Sequence, residues 1–177
     1  MKKYELTAEF IEKWGKKLFR IKALISFGSV EAGELGGYIE KEDNLAHDGN
    51  AWVSGDARVS GNARVSGDAE VSGNARVSGD ARVYGDAEVS GNADYLLIGR
   101  IGSRFSFTTF FKNKDKGITV SCGCFLGTIA EFRAKVTDTH GNNKHAKIYN
   151  LAADMAELQI LGEEHFDKLN TNKSESF

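Results

Sequence analysis

The chain's 177 residues carry 23 basic and 25 acidic side chains, a net charge of -2. That balance excludes the strong basic excess of a general nucleic-acid binder, and no apolar run is long enough for a transmembrane helix. The two cysteines, Cys122 and Cys124, are one residue apart and would form a strained disulfide, so a reduced intracellular protein is expected.

The N-terminal MKKYELTAEF has two lysines with no apolar run behind them, and it reads as folded structure, not as a leader. Lys3 to Leu6 alternates. Glu9 to Trp14 suggests a strand, and Lys17 to Phe27 a stronger one, with Trp14-Gly15-Lys16 as the hairpin turn. Leu35-Gly36-Gly37-Tyr38-Ile39 then leads toward the repeats, its glycines permitting close backbone approach. Residues 1–46 are therefore expected to be a β-rich N-terminal cap.

Residues 47–94 repeat the unit V-x-G-(D/N)-A-x. Glycine recurs at 49, 55, 61, 67, 73, 79, 85 and 91, and alanine follows two residues later each time. A period of six fits neither an amphipathic helix nor a flat alternating strand. It predicts a short left-handed parallel β-helix, with one hexapeptide per side and residues 18 apart stacked on one another. Valine and alanine should point inward, and Gly-Asp or Gly-Asn should make each bend. The outward position then forms three faces: Trp52, Glu70 and Glu88; Arg58 and Arg76, with Asp94; Arg64 and Arg82. Stacked like charges repel unless a second subunit or an anionic ligand neutralises them.

After Asp94 the composition shifts to aromatics, and residues 95–165 read as a small α+β region. Ser106–Phe111 and Ile118–Cys122 are expected strands. Thr128 with Glu131 forms a capping box for a helix whose stripe is Ile129, Phe132 and Val136. A second helix is expected from Asn143 to Leu161, with Leu151, Met155 and Leu158 on its packing face. Residues 166–177 read as a flexible tail. The fold class expected is mainly β: the β-helix, its β-rich cap and the α+β region.

Three constellations could carry chemistry. Cys122-Gly-Cys124 lacks the companion ligands of a zinc site, and no metal or other cofactor is expected. A nucleophilic Cys124 with His140 as base lacks a third, orienting group. Gly99-Arg-Ile-Gly-Ser-Arg104 is neither a phosphate-binding P-loop nor a dinucleotide fingerprint. Its glycines, Arg100, Ser103 and Arg104 are nevertheless suited to a phosphate or carboxylate, with Lys112, Lys114, Lys116 and His140 adding positive charge. The ligand-binding set is thus Arg58, Arg64, Arg76, Arg82, Arg100, Ser103, Arg104, Lys112 and His140. No residue is assigned a catalytic role.

The motifs RIKAL and LGGYIEKEDNLAHDGNAWV before the repeats, and IGSRFSFTTFFK, ITVSCGCFLGTIAEF and THGNNKHAK after them, carry a resemblance over residues 3–165. In that span the chain resembles a family of bacterial and phage hexapeptide-repeat proteins, often labelled transferases or left without function. The resemblance implies a repeat region of variable length between constant end pieces, and a phage or prophage origin. Analogy with left-handed hexapeptide proteins implies a homo-oligomer, a trimer above a dimer.

The expected function is a non-enzymatic homo-oligomeric binding protein in the cytoplasm of a bacterial host cell. In its concrete form it is a phage counter-defence protein that sequesters a small anionic nucleotide signal. A host protein is the other partner considered. Neither a membrane nor extended nucleic acid is expected as one. One alternative is an acyltransferase with a CoA donor, a class that uses a histidine base. No histidine occurs from Gly49 to Asp94, leaving His47, His140 or His145 for that part. The other alternative is a protein-binding adaptor whose repeats set the distance between its end pieces.

Overall fold

Valine and alanine alternating with a glycine bend leave room for only two extended residues per repeat, and two-residue strands are what form. The computed structural model describes residues 1–13 and 15–167. Trp14 and most of the expected tail, 168–177, lie outside the described residues. The chain divides into two compact units, Met1–Asn92 and Ala93–Phe177.

The first unit opens with an antiparallel hairpin, β1 (Tyr4–Lys13) and β2 (Lys16–Ala23), with an irregularity between Leu6 and Phe10. The two strand segments expected before Gly15 are thus one bulged strand. β3 (Leu35–Ile39) pairs antiparallel with β2. A short 3-10 turn at Glu42–Asn44 follows. Then come β4 (Trp52–Val53), β5 (Arg58–Val59), β6 (Arg64–Val65), β7 (Glu70–Val71), β8 (Arg76–Val77), β9 (Arg82–Val83) and β10 (Glu88–Val89).

These strands pair in parallel with the strand 18 residues on: Trp52 with Glu70 with Glu88, Arg58 with Arg76, and Arg64 with Arg82. The valines from Val53 to Val89 are wholly buried, as are the alanines from Ala51 to Ala87 to within 1%. At the bends, the Asn50 amide donates to Asp68 (2.8 Å) and the Asn62 amide to Asp80 (3.1 Å). Asn over Asp avoids stacking two carboxylates.

The expected left-handed parallel β-helix is corrected by the sheet geometry. The repeat strands fall into separate sheets, β4-β7-β10 and β6-β9, while β5 and β8 extend the hairpin sheet in the order β1-β2-β3-β5-β8. None of these sheets is curled or closed. The architecture is one of mixed β-sheets, and residues 1–46 supply strands to one of them. The physical reason is β3, which pairs antiparallel with β2 and parallel with β5, so two pairing modes meet in one sheet. The join is tight: a Cβ at Gly37 would stand 2.7 Å from the Ala57 carbonyl oxygen and 2.9 Å from Val53 Cγ1. The last repeat also departs from the pattern, with Ala93 exposed.

Long side chains tie the start of β1 to the repeats. The buried Lys3 Nζ donates to the Gly49 and Ala51 carbonyls (3.3 and 2.8 Å), and the Tyr4 hydroxyl lies 2.8 and 2.7 Å from the Glu42 and Leu45 carbonyls. Trp52, expected on an outer face, is buried, edge-on to Tyr4 and Phe27.

The second unit is a four-stranded antiparallel meander followed by two helices. Its elements are β11 (Tyr95–Ile101), β12 (Ser106–Lys112), β13 (Ile118–Cys122), β14 (Phe125–Thr128), α1 (Ile129–His140) and α2 (Lys144–Leu161). The Thr128–Glu131 capping box forms, and the Asn143 side chain caps α2 by accepting from the His145 and Ala146 N–H groups. The packing face of α2 differs from expectation. Ala146, Tyr149, Ala152, Ala153, Ala156 and Glu157 are buried, while Leu151, Met155 and Leu158 are exposed. The alanines let α2 lie close to its neighbours, and Arg133 of α1 binds Asp154 (2.8 Å) and Glu157 (2.7 Å). No helix among the described residues is long and apolar enough to cross a membrane.

Val71 sits between Val53 and Val89 in one register, so its methyl groups have no exposed side to relax into. Val71→Ala should cost about 2 kcal/mol, from two lost methyl groups and the void they leave. The urea midpoint of unfolding would fall accordingly, and an unchanged midpoint would contradict tight packing there.

A candidate anion-binding pocket in the C-terminal unit

An antiparallel meander sends alternate hairpin tips to the same edge. The β11–β12 loop (102–105) and the β13–β14 turn (123–124) therefore share one end of the sheet. α1 begins at the far end of β14 and runs back, so its last turn also arrives there. Between these segments lies a cavity of about 370 Å³. Its lining includes Ser103, Arg104 and Ser106 from the first hairpin, Cys122 and Phe125 from the second, Lys135, Thr139 and His140 from α1, and Tyr149 from α2.

The floor is aromatic. Phe132 meets Phe110 and Tyr149 edge-on at 5.8 and 5.6 Å and Phe125 at 5.6 Å, while His140 stacks on Tyr149 at 5.8 Å. The rim is polar, with Ser103, Arg104, Lys135 and Thr139 exposed. No carboxylate is among the lining residues. Among the described residues, Arg104, Lys135 and His140 make no ion pair. The pocket thus concentrates uncompensated donors over an apolar, flat base.

Tyr149 is held tightly. A Cβ at Gly102, where φ is +73°, would collide with its hydroxyl, so only glycine lets the loop close over the ring. The Cys122 thiol donates to the phenol oxygen at 4.0 Å, and Thr108 donates to Cys122 Sγ at 3.2 Å. Burial, then the neighbouring Cys122, push the Tyr149 phenol up to about 12, with the Arg104 guanidinium opposing. The group is a neutral donor at physiological pH.

The expected ligand-binding residues separate. Ser103, Arg104 and His140 line this pocket. Arg100 is exposed on β11 and does not line it, and Lys112 lies 3.7 Å from Asp94. Arg58 and Arg76 lie in the mixed sheet of the first unit, and Arg64 and Arg82 in its two-stranded sheet. The supposed glycine loop is half strand: Gly99 lies within β11, where the Phe107 ring fills the space a Cβ would need. Cys124 is exposed in its turn, away from the lining, while Cys122 lines the pocket. His47 stacks on Tyr4 at 4.3 Å, and its Nδ1 accepts the Lys3 N–H at 3.2 Å.

Sequence reasoning missed Lys135, Thr139 and Tyr149. The available signal was helical spacing: Lys135, Thr139 and His140 lie within about one turn and a half, next to the buried stripe of Phe132 and Val136. No group of three or more metal-ligating side chains occurs among the described residues.

A family model described as the YdcK beta solenoid repeat matches residues 57–73 and 69–85. A comparison with curated proteins finds no match. The resemblance over residues 3–165 is corrected accordingly. The family match covers the repeats alone, leaves both flanks untouched, and falls where the sheets neither curl nor close. The hexapeptide-protein lineage and the trimer drawn from it lose that support.

Two outcomes test the pocket's construction. Gly102→Ala should destabilise the protein by more than about 1 kcal/mol, because it adds both left-handed strain and a clash with Tyr149. The elevated Tyr149 phenol also has a signed consequence. A raised pKa favours the protonated folded state, so this contribution is complete below the ordinary value of 10.0 and is lost as pH rises toward about 12. The difference in urea midpoint between the wild type and Tyr149→Phe should hold up to pH 10.0 and change between there and about 12. A difference that does not vary with pH would refute the assignment.

Proposed function

We propose that this protein is a non-enzymatic binding protein that holds a small anionic molecule, with a flat apolar body, in the pocket of the C-terminal unit. The observation that carries this reading is the convergence of Arg104, Lys135 and His140 over an aromatic floor with no lining carboxylate. Charge-assisted hydrogen bonds from Arg104 would hold the anion in a fixed orientation. Ser103, Ser106, Thr139 and the neutral Tyr149 hydroxyl supply further donors. Phe125, Phe132 and Val136 take the apolar body. A cavity of about 370 Å³ suits one small ligand. We place this binding in the reducing cytoplasm, consistent with two free cysteines.

Adenosine 5′-monophosphate and inorganic phosphate serve as probes, the first pairing an anion with a flat ring and the second lacking the ring. Isothermal titration of the wild type should give tighter binding of the nucleotide, weakening as salt is raised. Arg104→Ala should weaken it about tenfold or more, since a hydrogen bond to a charged group contributes roughly 1.5–3 kcal/mol. Lys135→Ala should weaken it less, because an ammonium group on a flexible stem lacks the planar, two-pronged donor geometry of the Arg104 guanidinium. No heat with either probe at millimolar concentration, or full affinity in Arg104→Ala, would overturn the reading.

A further inference from the structure

α2 has two apolar faces. One is buried against its own unit, whereas the other exposes Leu151 (63%), Met155 (57%) and Leu158 (45%). Their spacings of four and three residues put them on one stripe, which the half-buried Ile148 extends by a turn. A helix in water gains nothing from such a stripe.

The charges along α2 are also reversed relative to its dipole. Its first turn holds Lys144 and Lys147 and no acidic residue, and its last turn holds no basic residue. Glu163 and Glu164 follow Gly162 directly. A helix dipole favours the opposite order, acidic at the start and basic at the end. Both anomalies have one remedy. A second α2 laid antiparallel across the first covers the stripe, opposes the dipoles, and brings the Lys144–Lys147 turn of each copy to the Glu163–Glu164 end of the other.

We propose that this protein self-associates as a two-fold dimer through antiparallel α2 helices, with Leu151 of one copy opposite Leu158 of the other and Met155 near the axis. The symmetry is self-complementary, so one patch serves both copies and assembly stops at two. A single helix pair buries less than a standard interface, so a weak association in the micromolar range is expected. The proposal stands apart from the anion pocket, which does not include these residues.

Sedimentation velocity of the full chain across 1–200 μM, a range set about that expected affinity, should show a monomer passing to twice its mass. Leu158→Lys replaces an exposed side chain, so circular dichroism should be unchanged while the dimer is lost. Lys147→Glu should weaken association about tenfold, and Lys147→Glu with Glu163→Lys should restore it. Orientation is read by oxidation in a Cys124→Ser background. Leu151→Cys mixed with Leu158→Cys should cross-link, and neither variant alone should do so. A monomer throughout the range, an oligomer indifferent to Leu158→Lys, or cross-linking of Leu151→Cys with itself would each overturn the proposal.

Discussion

The first unit depends on backbones stacking at every bend with nothing between them. From Gly49 to Gly85 the bend glycines have φ between +58° and +74°, a region other residues adopt only with strain. A Cβ at Gly49 would also collide with the Gly67 carbonyl oxygen in the next layer. Side-chain-free bends let residues 18 apart come into parallel register. Register in turn superimposes valine on valine and alanine on alanine in a dry interior. The outer residues face solvent, so charged side chains are tolerated there, and like charges stack at Glu70 and Glu88, Arg58 and Arg76, and Arg64 and Arg82.

The second unit uses smallness differently. The buried face of α2 is alanine at 146, 152, 153 and 156, with Tyr149 as the one aromatic side chain among them. Close approach of the helix presses Tyr149 against the β11–β12 loop, and Gly102 is where the chain yields. The ring therefore serves both packing and the pocket. It meets Phe132 edge-on, stacks with His140, and its hydroxyl is reached by Cys122. The cations arrive by topology: a meander and a returning helix deliver two hairpin tips and the end of α1 to one edge of the sheet.

Part of the site was legible along the chain. Ser103 and Arg104 flank a glycine turn, and His140 ends a capped helix, so each carries a local sign. Lys135 and Thr139 carry only their helical spacing to His140, which ordinary helix-surface positions share, and Tyr149 carries nothing that separates it from a core position. The arginines of the repeats show the converse. Arg58 and Arg76, like Arg64 and Arg82, stack in register, but each pair lies on a different sheet from the other. Leu151, Met155 and Leu158 misled because helical periodicity reveals that a stripe exists, not which stripe faces inward; the competing stripe was mostly alanine, which hydropathy ranks below leucine.

The sequence by itself determined what nearest neighbours decide: the glycine bends, the inward valines and alanines of the repeats, the Thr128 and Asn143 helix caps, and the extended character of β12 and β13. These follow from backbone angles, local side-chain bonds and short periodicities. The tertiary structure alone decided how the repeat strands divide among sheets, which face of α2 is covered, and which side chains meet at the pocket. Those outcomes depend on contacts between residues far apart in the chain. Strand pairing is satisfied by any partner with free N–H and C=O groups, so a local pattern creates the demand and only the packed chain chooses among the partners.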